Sequence, residues 1–116
     1  MIIMSLKEYV INISKIPVKV INNVMYRFIF DESTGAKFLI MRIVEVPPGE
    51  KVPLHSHDDE EQAYLILEGE GIIRLGDKSY HVKAGHAVFI PMHTPHGVLN
   101  NSNKVLKYVL FCAKTR

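Results

Sequence analysis

Two histidines separated by a single residue, His55 and His57, stand out in this chain of 116 residues. On a β-strand, side chains at positions i and i+2 point to the same face, and their Cα atoms lie roughly 7 Å apart. Both imidazoles can then turn onto one ion. Neutral imidazole is the commonest protein ligand for divalent transition metals, so the pair predicts a metal site that needs further ligands from elsewhere in the chain.

Other polar residues near this pair could take part in chemistry. The chain has six histidines, and the remaining four are His81, His86, His93 and His96. We expect His81 and His86 to be exposed because they fall in predicted hairpins. The acidic run at residues 58–61 could supply a general base beside a metal, although most of such a run is expected to be solvated.

The segments that must position these residues have the pattern of short β-strands. Gly, Pro and Asn separate runs rich in Val, Ile, Tyr and Phe, and almost no helical period is present, which predicts an all-β sandwich or barrel. Residues 6–16 fit either a short helix or an extended arm. The predicted strands cover residues 18–24, 25–30, 37–46, 63–67, 72–75, 79–82, 88–90, 98–99 and 105–111. The first two are expected to form a hairpin with its turn at Asn22-Asn23.

Composition narrows the classes of protein to which the chain can belong. Its 116 residues are enough for one domain, and its 47% of hydrophobic residues are enough for a modest core. The 14 basic and 12 acidic residues are scattered, so we expect no nucleic-acid partner. No apolar run approaches the roughly 20 residues of a membrane-spanning helix. A single cysteine, Cys112, fits a cytoplasmic location and is interpreted as a core residue.

Two spaced motifs resemble those of the cupin superfamily. The first runs Gly49, five residues, His55-x-His57, four residues, Gln62, six residues, Gly69. The second runs Gly85, five residues, Pro91-x-His93, two residues, His96, three residues, Asn100. The first motif usually has Glu at the place of Gln62, and the second usually has Gly at the place of His93.

The resemblance implies a double-stranded β-helix, or jelly-roll barrel, that holds one divalent transition metal ion (Mn, Fe, Ni, Cu or Zn). The metal ligands would be His55, His57, His96 and a fourth group. In many cupins an N-terminal strand packs on a neighbouring subunit, so a homodimer is expected. We divide the chain into an N-terminal arm with strands, residues 1–34, and a barrel, residues 35–116.

The fourth ligand is either Gln62 or Glu61. Gln62, Tyr64 and Ile66 share one face of a strand, whereas Glu61 would need a β-bulge to point inward, so we favour Gln62. With three imidazoles and an amide, a divalent ion keeps its full charge of +2. Such a site favours Lewis-acid behaviour and anionic ligands.

Further residues are candidates for the cavity wall and for catalysis. Tyr64, Glu61 and His93 are the candidate catalytic residues. Arg27 could bind a carboxylate at the barrel mouth, although a surface position is the more expected one. The barrel interior is expected to contain the apolar side chains of Met41, Ile66, Phe89 and Phe111.

The function implied by these features is that of a metal-binding protein acting on a small organic molecule. A dioxygenase-type oxidoreductase is favoured if the ion is redox-active. With a redox-silent ion, isomerase, epimerase or lyase chemistry fits better. A non-catalytic module that binds a small ligand is the remaining alternative.

Overall fold

The computed structural model describes residues 9–115, whose regular secondary structure is almost entirely β-strand. Two short 3-10 helices, Ile13–Lys15 and Glu32–Thr34, accompany ten strands. The strands are β1 (Lys19–Ile21), β2 (Val24–Phe30), β3 (Leu39–Val46), β4 (Lys51–His55), β5 (Glu60–Glu68), β6 (Glu70–Leu75), β7 (Lys78–Lys83), β8 (Ala87–Ile90), β9 (His96–Leu99) and β10 (Leu106–Lys114).

The strands form two antiparallel sheets. The first has six strands in the order β1-β2-β3-β10-β5-β8, and the second has four in the order β4-β9-β6-β7. Neighbours such as β3 and β10 are far apart in sequence, as in a double-stranded β-helix. The all-β jelly-roll fold predicted from the sequence is therefore confirmed.

The barrel core lies on the inner face of the six-stranded sheet. Every second residue of β3 and β10 points there, and Val44 pairs across the sheet with Tyr108 while Val46 pairs with Leu106. The same alternation on β5 turns Tyr64 and Ile66 inward. Burial of these apolar side chains is the main favourable contribution to folding.

The outer face of the same sheet carries a second, smaller apolar cluster. It is centred on Ile29, Ile43 and Val109, and Met41 and Phe111 pack against it. The predicted interior position of Met41 and Phe111 was therefore wrong. Phe89 lies opposite Ala63 on this outer face and is 58% exposed, which corrects a third interior assignment.

The N-terminal part of the barrel follows the predicted hairpin. β1 pairs with β2, and the turn residues Asn22 and Asn23 both have positive φ angles, 49° and 67°. Asn tolerates this left-handed region better than most residues, which explains the tight turn. β2 then joins β3, so this hairpin belongs to the six-stranded sheet. Residues 1–8 of the proposed arm lie outside the described residues.

Two contacts join the beginning of the first motif to the end of the second. The Gly49 amide donates to the Asn100 carbonyl at 2.8 Å, and the Asn100 amide donates to the Glu50 carbonyl at 3.0 Å. The buried Asn100 side chain also donates to the carbonyls of Val46 and Lys104. These bonds bring β4 alongside β9, and that pairing positions the histidines. Neither helix in residues 9–115 is long and apolar enough to cross a membrane.

Candidate metal centre

Three histidines converge at one end of the barrel. His55 ends β4 and lies directly opposite His96, the first residue of β9. His57 follows two residues after β4, and its ring approaches both others, with centroid distances of 5.0 Å to His55 and 5.4 Å to His96. One ring nitrogen from each histidine lies within 4.8 Å of the others. The three residues form a possible metal site.

Hydrogen bonds orient two of the rings. Nδ1 of His55 lies 2.8 Å from the Pro53 carbonyl oxygen, and Nδ1 of His96 lies 2.9 Å from that of Thr94. Because a carbonyl oxygen only accepts, each Nδ1 carries the proton and each Nε2 keeps its lone pair. This tautomer leaves Nε2 of both rings able to bind a metal ion.

Two buried ring nitrogens without hydrogen-bond partners fit the binding of a metal ion. Nε2 of His57 and Nε2 of His96 are buried and have no hydrogen-bond partner within residues 9–115. Buried polar atoms are nearly always satisfied, so these two nitrogens are explained if a metal ion binds them. Burial lowers the pKa of His96, against the raising effect of the Thr94 carbonyl, which favours the neutral ring that binds metal.

The inner face of β5 adds a row of polar side chains beside the histidines. Glu60, Gln62 and Tyr64 are all buried. Nε2 of Gln62 donates to Glu60 Oε2 at 2.7 Å, and the Tyr64 hydroxyl donates to Gln62 Oε1 at 3.3 Å. Glu61 is exposed and points to the outer face, as the alternation of the strand requires.

The charge of Glu60 is stabilised within the protein. Burial acts to raise the pKa of its carboxyl group. Hydrogen bonds from Gln62 and Cys112, together with the positive charge of Lys114, outweigh that effect and lower the pKa. Glu60 is therefore a carboxylate at neutral pH. Burial raises the pKa of Tyr64 well above its ordinary value, so its hydroxyl stays protonated and can donate a hydrogen bond.

His93 lies at the rim rather than inside. Its side chain is 69% exposed and its Nδ1 is 3.2 Å from Asp58 Oδ1. Its backbone has a φ of 65°, a left-handed conformation that favours Gly. This conformation explains why the second cupin motif usually has Gly at this position. The His93 amide donates to the His57 carbonyl at 2.7 Å and so ties together the loops that carry His57 and His96.

A cavity of about 350 Å³ opens beside the histidines, within the size range of small-ligand sites. Its walls include three tyrosines and three charged residues that were not predicted there. They are Tyr26, Tyr64 and Tyr108, and Arg42, Glu60 and Lys114. Arg42 could have been found from its spacing, because it alternates with the inward Val44 and Val46 on β3. Glu60 could have been found in the same way, two residues before Gln62.

Arg27 does not reach this cavity. It lies opposite Ile43 on the outer face, where its Nη1 is 3.0 Å from Glu45 Oε1. The position at the barrel mouth is therefore excluded, and the surface position that we considered the more expected one for Arg27 is found. Its neighbour Tyr26 points inward instead, because adjacent residues of a strand face opposite sides.

Two known proteins are similar to this chain in sequence. An uncharacterised protein of Methanocaldococcus jannaschii is 43% identical over 59% of this chain, which spans about half (54%) of that relative. An oxalate-binding protein of Thermotoga maritima is 31% identical over 73% of this chain and 70% of its own.

Solved structures agree with the fold. A predicted oxalate decarboxylase from Thermotoga maritima superposes with a TM-score of 0.84 at 27% identity, over 90% of this chain and 98% of that one. The polyketide cyclase RemF from Streptomyces resistomycificus has the same fold, with a TM-score of 0.82 at 22% identity over 94% of this chain and 80% of its own. The Cupin_2 family model, which describes a cupin domain, matches residues 42–112. The chain therefore belongs to the cupin family.

Proposed function

We propose that this cupin binds one divalent transition metal ion through His55, His57 and His96 and a small organic molecule in the adjoining cavity. The observation that carries this proposal is the convergence of three ring nitrogens within 4.8 Å, two of them buried without hydrogen-bond partners in the described chain. Manganese, iron, nickel, copper and zinc all suit imidazole ligands.

Gln62 is our proposed fourth ligand. It lies on the inner face of β5, and its Oε1 receives only a long hydrogen bond from Tyr64, at 3.3 Å, so this oxygen keeps a free lone pair. Glu60 holds the other end of the amide and thereby orients it. An ion with these four neutral ligands supplies Lewis-acid or redox chemistry at full charge.

The activity that we favour is a dioxygenase-type oxidation of the bound molecule. In this proposal the Glu60 carboxylate accepts a proton from the substrate. The Tyr64 hydroxyl exchanges its long hydrogen bond to Gln62 for one donated to the substrate. We prefer Glu60 to Glu61 as the proton acceptor because Glu60 lines the cavity whereas Glu61 is exposed on the opposite face. The walls of the cavity, rich in tyrosine, exclude water from around the substrate.

Binding without turnover is the second candidate function. The relative from Thermotoga maritima at 31% identity is an oxalate-binding protein, which favours a small organic acid as the ligand. Isomerase or lyase chemistry would follow if the ion is redox-silent.

The test begins with elemental analysis of protein purified without chelator. We expect stoichiometric metal in the wild type and loss of the metal in His55→Ala/His96→Ala, with the fold retained by circular dichroism. The matched control is His81→Ala/His86→Ala, which removes two exposed histidines elsewhere and should keep the metal. Undiminished metal in the first double variant would overturn the site.

Dioxygen uptake with a panel of small acids, diketones and phenols then tests the activity. Substrate-dependent uptake supports the dioxygenase-type reaction. Metal binding without uptake, combined with saturable binding of oxalate, supports the binding function instead.

We also propose that the protein is a homodimer formed through its N-terminal strands. β1 is an edge strand, and all three of its residues are exposed, including Val20 at 64% and Ile21 at 41%. An exposed apolar edge strand is a surface on which another chain can pair.

A further inference from the structure

Arg42 is a charged side chain on the apolar inner face of the barrel. It alternates with Val44 on β3 and lies opposite Leu110 on β10 and Phe28 on β2. These positions direct its side chain into the cavity that His55 and His57 also line, where it forms part of the wall. An arginine on an inward position must find a partner for its charge or reach solvent.

The hydrogen-bond donors of this guanidinium are free within the described chain. Nε of Arg42 is buried without a hydrogen-bond partner, and no carboxylate of residues 9–115 lies within 4.0 Å of the group. Its Cζ lies 4.8 Å from the centroid of the Phe28 ring. Such stacking occupies the flat face of a guanidinium and leaves the N–H groups on its edge available.

The other charges of the cavity are already balanced. The carboxylate of Glu60 lies 3.6 Å from Lys114 Nζ and accepts a hydrogen bond from Gln62. Arg42 has no such counterion in residues 9–115, and a metal ion on three neutral imidazoles would add further positive charge. The cavity is therefore cationic, and a buried excess of positive charge favours an anionic ligand.

From these observations we infer that Arg42 binds a carboxylate group of the ligand, which makes that ligand a small organic carboxylate. A guanidinium edge matches the two oxygens of a carboxylate, so a bidentate contact is expected. The inference rests on the proposed function in one respect: the rest of the ligand would point toward the proposed metal ion. Binding of the carboxylate by Arg42 itself requires no ion.

Calorimetric titration of oxalate and benzoate, each into metal-free and zinc-loaded protein, tests this inference. The neutral counterparts oxamide and benzamide control for shape. We expect at least one acid to bind, its amide to bind more weakly, and Arg42→Gln to weaken binding of the acid roughly tenfold or more, as for loss of a charged hydrogen bond. The better of the two acids separates a dicarboxylate from an aromatic monocarboxylate as the ligand class.

Two variants make the result specific to Arg42. Arg42→Lys keeps the charge but loses the bidentate edge, so an intermediate affinity for the acid is expected. This variant also tests the inference if Arg42→Gln fails to fold. Arg27→Gln removes one positive charge from the outer face of the same sheet and should leave binding unchanged.

Several results would overturn the inference. They are equal binding of the acids and their amides, unchanged affinity in both Arg42 variants, an equal loss in Arg27→Gln, or binding of neither acid by the wild type. The metal content of each sample separates this failure from failure of the proposed function. Arg42 variants should retain the metal, whereas a wild type that takes up no zinc but still binds the acid through Arg42 would overturn only the metal proposal.

Discussion

At the scale of single residues, the cavity depends on pairs of polar groups that satisfy each other. Gln62 and Glu60 share a hydrogen bond of 2.7 Å on the inner face of β5. An amide next to a carboxylate is favourable because one donates and the other accepts, whereas two carboxylates at this distance would repel. The amide at position 62, where the cupin motif usually has Glu, is thus matched to a carboxylate two residues earlier.

Gln62→Glu is expected to destabilise the metal-free protein by about 1–3 kcal/mol, because the new carboxylate faces that of Glu60. Added zinc or manganese should recover more stability than in the wild type, since the variant offers a charged ligand. Thermal unfolding with chelator and with metal measures both effects. The exchange Glu60→Gln/Gln62→Glu is the control, as it restores an amide beside a carboxylate. Equal stability of all three metal-free proteins would contradict this account.

Cys112 is a second residue whose surroundings decide its chemistry. It is 2% exposed, and burial together with the adjacent Glu60 raises its pKa to about 12. A raised thiol pKa keeps the group protonated as the pH increases through its usual range, and only the thiolate is strongly nucleophilic. The thiol is therefore a core group.

We predict that native Cys112 resists alkylation by iodoacetamide at about pH 8, whereas the unfolded protein reacts within minutes. Mass spectrometry of samples quenched over time measures the rates. Ser79→Cys/Cys112→Ala, which moves the single thiol to an exposed position on β7, should react in the native state. Fast modification of native wild-type protein would show that the thiol is more accessible than its burial indicates.

At the scale of secondary structure, the metal centre depends on how closely β4 and β9 approach. A Cβ atom at Gly97 would lie 2.9 Å from the Val52 carbonyl oxygen and 3.3 Å from the Leu54 amide nitrogen. Both neighbours are backbone atoms of β4, which cannot yield as a flexible side chain would. Gly97 follows His96 directly, so this contact also sets the position of the ligand.

Gly97→Ala should therefore push the two strands apart, lower stability by roughly 1–3 kcal/mol and weaken metal binding. Chemical denaturation and a metal titration measure the two effects. Leu99→Ala, on the same strand with a side chain that is 41% exposed, is the matched control and should change both far less. Wild-type metal affinity in Gly97→Ala would show that strand spacing does not position His96.

At the scale of the whole molecule, the barrel is a sandwich of two sheets. The candidate metal centre lies at one end, and β1 forms an exposed edge. The six-stranded sheet is covered on its inner face by the four-stranded sheet and carries a small apolar cluster on its outer face. This second cluster accounts for the weak alternation of β3, whose residues are partly buried on both faces.

If the proposed dimer forms through β1, Val20→Lys should shift the protein toward monomer, because a buried charge opposes strand pairing. Sedimentation velocity over a range of concentrations measures the change. Val105→Lys places the same charge at a position that is 39% exposed outside any strand, and it should leave the oligomeric state unchanged. A wild-type monomer, or a dimer indifferent to Val20→Lys, would contradict the proposal.

Local patterns in the sequence were sufficient for the fold class, the hairpin at Asn22-Asn23 and the three histidines. Each depends on interactions of short range or on a fixed spacing: turn residues, strand alternation and the two cupin motifs. Alternation also placed Gln62 inside and Glu61 outside, as the structure has them.

The tertiary structure alone decided which inward polar residues meet around the cavity. Met41 and Phe111 are as apolar as any core residue, but strand parity turned them outward, and the same parity turned Arg42 inward. Leu110 beside Arg42 and Lys114 beside Glu60 both come from β10, far along the chain, and hydrophobicity says nothing about such neighbours. The sequence by itself therefore determined the barrel and its histidine site. The charge of the cavity was decided by the pairing of β2, β3, β10 and β5, because side chains from different strands become neighbours only when the sheet forms.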